Sequence, residues 1–150
     1  YIIDTTHLSA NELKQRINNI FLDELQNGML INVMSFGFKY GSPAEADLVF
    51  DVRCLPNPYY VDALKNKTGL DQEVRDYVMN STNSMELLQK LKDLIEFLIP
   101  LYQKEGKSQL MIAVGCTGGK HRSVTFAENI YHFLSEQGGN VRVIHRDIAK

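Results

Sequence analysis

The chain reads LMIAVGCTGGKHRSV over residues 110–124, and this stretch decides its fold. The apolar run Leu110–Val114 is typical of a buried strand. It leads into the glycine-rich segment Gly115–Ser123, and an amphipathic run typical of a helix starts at Val124. A strand, a glycine-rich loop and a helix in this order direct backbone N–H groups and the positive end of a helix dipole at one point. The stretch therefore predicts an α/β fold with an anion site at this loop.

Three basic residues stand where this helix should begin. Lys120, His121 and Arg122 fall in or just before its first turn. Cations there oppose the helix macrodipole, because that end favours Asp and Glu, and the same end carries unsatisfied N–H donors. We expect a phosphate group on the backbone amides of residues 117–122, Lys120 and Arg122.

Three kinds of phosphate site can be compared with this loop. A P-loop requires Gly, four residues and then Gly-Lys-Ser/Thr, and Val114 and His121 exclude that pattern here. Cys116, five residues and Arg122-Ser123 match the Cys-x5-Arg-Ser/Thr loop of protein tyrosine phosphatases, in which Cys116 would be the nucleophile. Those enzymes usually have His where this chain has Gly115, and no Asp is marked out as the general acid. The third kind binds a phosphorylated ligand without turnover.

The rest of the chain alternates strand and helix patterns. Strands are expected over 30–38, 46–52, 110–114 and 141–144, and helices over 71–79, from 83 and from 124, with Pro100 at a kink or last turn. A capping box, Ser9 with Glu12, predicts an earlier helix that stops near Gly28. The apolar centre of 46–52 suggests a strand covered on both faces. This order predicts a single α/β domain with a largely parallel sheet flanked by helices.

Further candidates follow from the ends of the strands, because ligands bind beyond the carboxyl ends of strands in open parallel sheets. Asp51 and Arg53 end the second strand. If that strand is the parallel neighbour of 110–114, both flank the loop, and Asp51 can accept hydrogen bonds from a sugar hydroxyl or amine. The alternative is a structural ion pair of Asp51 with Arg53 or Arg122. Lys39 is a weaker candidate by the same argument.

Several aromatic and basic residues leave two interpretations open. Tyr59 and Tyr60 could stack on a sugar or base, or they could form a lid that packs on the core. His145 and Arg146 could extend the basic patch or lie on the plain surface.

Composition narrows the class of protein. The 150 residues are 44% hydrophobic with a formal net charge of −2, so bulk charge gives no argument for nucleic acid binding. Two cysteines outside any metal-ligand spacing favour a reducing compartment. There is no apolar run long enough for a membrane span and no signal peptide. We expect a cytoplasmic protein with no metal and no cofactor. The start at Tyr1, without Met, suggests a fragment of a longer chain.

Four segments together resemble the C-terminal domain of the RapZ/YvcJ family of bacterial proteins. They are Phe36–Gly41, Asp51–Pro58, Thr68–Asp71 and Gly115–Ser123, in the family's order and with similar gaps. The resemblance implies that residues 1–25 are the tail of a preceding P-loop domain, which would bind ATP and GTP. Residues 26–150 would then form the C-terminal ligand-sensing domain.

The family implies a regulatory role. Enterobacterial relatives sense glucosamine-6-phosphate and bind small RNAs that control amino-sugar synthesis; Gram-positive relatives are tied to cell-wall precursors and, by analogy, UDP-N-acetylglucosamine. We therefore expect a phosphorylated amino sugar or nucleotide sugar as ligand, a regulatory protein or small RNA as further partner, and a homo-oligomer. The candidate ligand-binding residues are Lys39, Asp51, Arg53, Cys116, Thr117, Gly118, Gly119, Lys120, His121 and Arg122.

This chain departs from the RNA-binding relatives at several positions. Tyr40 and Tyr59 stand where those relatives carry His, and only Lys150 remains of their basic tail after Arg146. RNA binding needs cations that neutralise phosphates. A sensor domain is therefore the first hypothesis, and a cysteine-dependent phosphatase and a small-RNA adaptor are the alternatives.

Overall fold

The computed structural model of the chain describes residues 10–12, 14 and 28–150. The predicted strand end at 1–3 and most of the predicted first helix lie outside these residues. The division between a preceding domain and a ligand-sensing domain stays a prediction.

The described chain forms an α/β domain, as its strand and helix patterns predict. Its sheet has four strands in the order β2-β3-β1-β4, and every neighbouring pair is parallel. Short 3-10 turns, Phe38–Tyr40 and Pro58–Tyr60, follow β1 and β2. In chain order the elements are β1 (Leu30–Gly37), β2 (Leu48–Asp51), α1 (Gln72–Met79), α2 (Thr82–Lys104), β3 (Gln109–Cys116), α3 (Arg122–Glu136) and β4 (Asn140–His145).

The core lies between the two central strands and α3. Alternate residues of β1 and β3 point into it, as the period of two requires, and α3 meets them with residues spaced three and four apart. Helices α1 and α2 pack against α3. Each fully buried aliphatic side chain contributes about 1.5–3 kcal/mol to the free energy of folding. Members of this core include Ile31, Val33, Leu110, Ile112, Val114, Val74, Val78, Ile95, Ala127, Ile130 and Leu134.

Strand β2 is shorter and more exposed than its sequence predicts. It pairs only with β3, so it lies at the edge of the sheet, and Val49 is 45% exposed. The prediction that both faces are covered is wrong for this strand, because an apolar run does not reveal which strand falls at an edge.

Helix α2 begins slightly earlier than predicted. Its N-cap residue is Ser81 rather than Asn83, and Pro100 is followed by further helix to Lys104. Proline removes a single backbone donor near the helix end, where little of the hydrogen-bond ladder remains. Among the described helices, none combines the length and apolar character that a bilayer crossing requires.

Candidate functional site

The loop that joins β3 to α3 lies at the carboxyl edge of the sheet. Strand β3 ends at Cys116 and α3 begins at Arg122, and β1 ends beside Cys116 at Gly37. The first turn of α3 contains no acidic residue. The positive end of its dipole is therefore not compensated by the helix itself.

Two glycines are required by the way this loop packs. Gly119 has a φ of +79°, and a Cβ there would lie 2.6 Å from the Gly37 nitrogen, so the loop can sit directly on the end of β1. A Cβ at Gly115 would lie 2.4 Å from the Phe36 ring. The ring packing leaves no space for the histidine that tyrosine phosphatases usually carry at that position.

The loop encloses the sulfur of Cys116. The thiol lies 3.1 Å from Ser123 Oγ, and the Gly119 N–H donates to Sγ at 3.3 Å. Cys116 is buried. No acceptor among the described groups receives the N–H groups of Gly118, Lys120 and His121. These donors are available to an anion.

Arg122 is a buried cation held by carbonyl groups. The side chain is 4% exposed, and its Nη1 donates to the carbonyl oxygens of Arg53 at 2.5 Å and Leu55 at 3.2 Å. Its Nε has no hydrogen-bond partner. Within the described part of the chain no carboxylate forms an ion pair with Arg122. A buried charge normally requires a counter-charge.

His121 is the second buried polar group with an open hydrogen-bonding position. The residue is 7% exposed, and its Nε2 is buried without a partner. Burial lowers the pKa of His121, and the nearby charges of Arg122 and Lys120 lower it too. Hydrogen bonding to the backbone at Lys67 and Lys65 acts in the opposite direction, but the pKa stays below its usual value. Burial and the neighbouring cations therefore both favour the neutral imidazole.

A cavity of about 440 Å³ opens over this loop. Five of its lining residues are cationic and none is Asp or Glu. The aromatic and amide side chains that complete the lining are concentrated in the 57–66 segment. The lining residues are Lys39, Tyr40, Asn57, Tyr59, Tyr60, Lys65, Asn66, Cys116, Thr117, Gly118, Lys120, His121, Arg122 and Lys150.

Seven of the ten predicted site residues line this cavity, and Asp51, Arg53 and Gly119 do not. Strands β2 and β3 are parallel neighbours, which is the arrangement that would bring Asp51 towards the loop. However, the Asp51 carboxylate accepts hydrogen bonds from Arg53, which lower the pKa of Asp51. A sugar at Asp51 would have to compete with Arg53, whose guanidinium also lies 4.0 Å from the Phe38 ring centroid.

The C-terminal turn supplies two residues that sequence reasoning missed. Asp147 is fully buried and accepts hydrogen bonds from the Gly37 N–H at 2.8 Å and from the guanidinium of Arg146. Lys150 lines the cavity and pairs with Asp147 at 2.9 Å. Burial raises the pKa of Asp147, but the hydrogen bonds from Arg146, Gly37 and Lys150 outweigh it and lower the pKa to about 2. The i, i+3 spacing of Asp147 and Lys150 was the only sequence signal.

His145 and Arg146 do not extend the basic patch. His145 lies between Ser35 Oγ at 2.7 Å and Glu128 Oε1 at 2.8 Å. Arg146 is held by Asp147 and by the Gly41 carbonyl. Both side chains therefore join the end of β4 to neighbouring elements.

The fold and this cavity define the class of the protein: a small α/β domain with a cationic cavity at the carboxyl edge of a parallel sheet. The chain belongs to the RapZ C-terminal domain family, which it matches over residues 29–149. The resemblance drawn from the four sequence segments is thereby confirmed.

Relatives share more than half of their aligned residues with the chain. It is 55% identical to a nucleotide-binding protein of Acetivibrio thermocellus over 100% of its own length and 52% of that protein. It is 56% identical to a nucleotide-binding protein of Caldanaerobacter subterraneus, in an alignment that covers 100% of the chain and 53% of that protein. It is also 56% identical to a nucleotide-binding protein of Alkaliphilus oremlandii, with 98% of the chain and 51% of that protein covered. The chain spans about half the length of these relatives.

Proposed function

We propose that this domain is the regulatory sensor of a RapZ/YvcJ-like protein. It binds a phosphorylated amino sugar or nucleotide sugar, such as glucosamine-6-phosphate or UDP-N-acetylglucosamine. Through this ligand it controls amino-sugar or cell-wall precursor metabolism. The nucleotide-binding name of the relatives belongs, in this proposal, to the half of those proteins that the chain does not cover.

One observation carries the proposal: the buried Arg122 has no carboxylate partner in the described chain and lines a cavity without acidic residues. Lys120 lines the same cavity and forms no ion pair with any described residue. A phosphate dianion would supply the missing counter-charge. It would also accept hydrogen bonds from the free N–H groups of the loop.

The residues of the 57–66 segment that line the cavity fit the rest of such a ligand. Tyr59 and Tyr60 line the cavity and are exposed, so their rings can pack against a sugar or base. Asn57 and Asn66 line the same cavity and supply amide groups for hydroxyl or amine contacts. Mixed apolar and polar lining of this kind is typical of small-molecule sites.

The test is a thermal-shift titration with glucosamine-6-phosphate, UDP-N-acetylglucosamine and inorganic phosphate. A ligand at 100 times its Kd adds about 2.7 kcal/mol to the free energy of unfolding. Arg122→Ala is a poor variant, because Arg122 also holds the 53–55 segment. Lys120→Ala is better, and its affinity should fall about tenfold or more, since a charge-assisted hydrogen bond contributes about 1.5–3 kcal/mol.

Lys104→Ala is the matched control, because Lys104 is exposed at the end of α2 and the change in net charge is the same. The proposal predicts wild-type affinity for this variant. No midpoint rise with any of the three ligands, or equal rises in wild type and Lys120→Ala, would refute the site.

A cysteine-dependent phosphatase is the second candidate, favoured by the contacts of Cys116 with Ser123 and the Gly119 N–H. The thiolate would attack phosphorus, the ester P–O bond would break, and the leaving alcohol would take up a proton. Water would then cleave the P–S bond to release inorganic phosphate. Since no carboxylic acid lines the cavity, that proton would come from solvent, and 4-nitrophenyl phosphate, with its good leaving group, is the substrate to test. Turnover that Cys116→Ser abolishes and Cys54→Ser preserves would establish this activity.

A small RNA fits this site less well than a small ligand. The five cations line one cavity of about 440 Å³, and the formal net charge of the chain is −2. RNA affinity that falls steeply with added salt would nevertheless establish the adaptor hypothesis.

A further inference from the structure

We infer that the cavity holds two linked phosphoryl groups, so that it binds the diphosphate of a nucleotide sugar more tightly than a sugar monophosphate. The first group lies on the β3–α3 loop, and Lys39 and Lys150 hold the second. This inference rests on the proposed function, because it concerns the ligand of the same cavity. It ranks the two ligands named there.

The cations of the cavity are not gathered at the loop alone. Among the described residues, Lys150 is the one of the five that pairs with a carboxylate, and that carboxylate, Asp147, also pairs with Arg146. A single phosphate on the loop therefore leaves cations elsewhere in the cavity without an anionic partner. The five cations come from four segments of the chain and are Lys39, Lys65, Lys120, Arg122 and Lys150.

Lys39 and Lys150 form a second cationic group around the ring of Tyr40. The Lys39 Nζ lies 5.1 Å and the Lys150 Nζ 4.7 Å from the ring centroid, which is the range of a cation–π contact. One lysine comes from the 3-10 turn after β1 and the other from the C-terminus, and both line the cavity. Neither side chain is buried, so both ammonium groups can still donate hydrogen bonds to an anion.

This second group adjoins the loop. The Lys39 N–H donates to the carbonyl oxygen of Thr117 at 3.2 Å, so the turn that carries Lys39 is fixed beside the loop. On the other chain segment, Asp147 pairs with Lys150 and accepts the N–H of Gly37, the last residue of β1. Both lysines are thereby attached next to the loop donors. Two phosphoryl groups that share a bridging oxygen require neighbouring cations of this kind.

The 57–66 segment offers aromatic surface for the nucleoside. Tyr59 is 51% and Tyr60 81% exposed, and their rings meet edge to face with the centroids 5.6 Å apart. Both rings line the cavity. A planar base can stack on an exposed ring of this kind, and a sugar monophosphate has no such group.

The amino group of glucosamine-6-phosphate finds no matching group in the cavity. At neutral pH a protonated amine adds a further positive charge to a cavity that five cations line. No carboxylate of the described residues lines the cavity to accept this amine, and Asp51 is held by Arg53. An N-acetyl group is neutral, so an N-acetylated nucleotide sugar avoids the repulsion.

Isothermal titration calorimetry with UDP-N-acetylglucosamine and N-acetylglucosamine-1-phosphate tests the inference. Both ligands carry the same sugar and a charge of about −2, which is spread over two phosphoryl groups in the first and concentrated on one in the second. We expect the wild-type protein to bind UDP-N-acetylglucosamine at least about tenfold more tightly, because the second phosphoryl group gains charge-assisted hydrogen bonds.

Lys39→Ala is the test variant, because Lys39 is exposed and does not belong to the core. Its affinity for UDP-N-acetylglucosamine should fall about tenfold or more. Its affinity for the monophosphate should fall by less than about threefold, through long-range charge alone. Lys120→Ala should weaken both ligands, since Lys120 serves the first phosphoryl group. Lys104→Ala removes the same charge at the end of α2 and should leave both affinities unchanged.

The outcomes separate the two proposals. Equal changes for the two ligands in Lys39→Ala, or tighter wild-type binding of the monophosphate, would overturn the second phosphoryl site and leave the sensor site intact. Binding of glucosamine-6-phosphate without binding of UDP-N-acetylglucosamine would have the same meaning. Failure of all three sugars to bind would refute the proposed function itself.

Discussion

Two arginines near the end of β1 differ in whether a carboxylate of the described chain pairs with them. Arg146 forms an ion pair with the fully buried Asp147, which also holds the Gly37 N–H and Lys150. Arg122 is more deeply buried than Arg146, but its partners among the described residues are the carbonyl oxygens of Arg53 and Leu55 and the hydroxyl of Thr117. Arg146, Asp147 and Lys150 form the paired cluster, in which the carboxylate pairs with both cations. Arg122 instead keeps a positive charge that a ligand can neutralise.

The largest expected effect is in the paired cluster. Asp147→Asn keeps the shape of the side chain but removes the charge that Arg146 and Lys150 share. Because it leaves cations without a counter-charge, we expect a loss of about 3 kcal/mol in the free energy of unfolding at pH 7. Urea denaturation measures this loss.

Asp62→Asn is the control for that variant, since Asp62 is exposed, and its stability should change by less than about 0.5 kcal/mol. Equal stability of Asp147→Asn and wild type would contradict the structural role of the paired cluster.

The close approach of the β3–α3 loop to the end of β1 should be sensitive to one added methyl group. Gly119→Ala has an unfavourable φ of +79° and a Cβ close to Gly37 and Asp147. We expect a loss of about 2–3 kcal/mol. Gly106→Ala, just after the end of α2, has a φ of +81° but nothing within 4 Å of its Cβ, so it should lose only about 1 kcal/mol. Similar losses in the two variants would show that the close approach of the loop is unimportant.

Acid should weaken the paired cluster in a defined pH range. The pKa of Asp147 is about 2 in the folded protein, compared with 3.8 for the free side chain. A lowered carboxyl pKa stabilises the fold above pH 4, and this contribution is lost as the pH falls through 2. The loss is about 2 kcal/mol. Urea midpoints between pH 5 and 2 should fall less steeply for Asp147→Asn than for wild type, and parallel curves would contradict this assignment.

The smallest effect concerns Lys150, which belongs to both regions because it pairs with Asp147 and lines the cavity. Its side chain is half exposed, so Lys150→Ala should cost less than about 1 kcal/mol in stability. It should weaken glucosamine-6-phosphate binding several-fold through its charge. Calorimetry on this variant and on Lys90→Ala, whose exposed pair with Glu86 lies on α2, separates the two effects. Unchanged affinity would confine the ligand to the Arg122 side of the cavity.

Most of the fold could be predicted from local patterns. The strand, loop and helix at 110–124 could be read from apolar periodicity and glycines, and the four strands are close to their predicted places. The errors are at β2, whose edge position depends on pairing partners, and at the start of α2, where Ser81 and Asn83 are both plausible caps. The residues next to β2 in sequence do not determine its pairing partners, and the residues next to α2 do not determine which of the two caps is used.

The candidate site could be predicted only in part. The cluster at 116–122 was visible, because basic residues at a helix start are unusual. Lys65, Asn66 and Lys150 line the same cavity but are ordinary polar residues in sequence. Asp147 gave no signal of burial, since a charged residue is rarely inside a protein.

By itself the sequence determined the family, the α/β class and the cluster of basic residues at the start of α3, because these depend on short-range patterns and on motifs in a fixed order. Only the tertiary structure decided which charges are neutralised. Arg53 pairs with Asp51, Arg146 pairs with Asp147, and Arg122 stays without a carboxylate in the described chain. Charge pairing depends on distances between side chains that may be far apart along the chain, and the folding of the sheet fixes those distances.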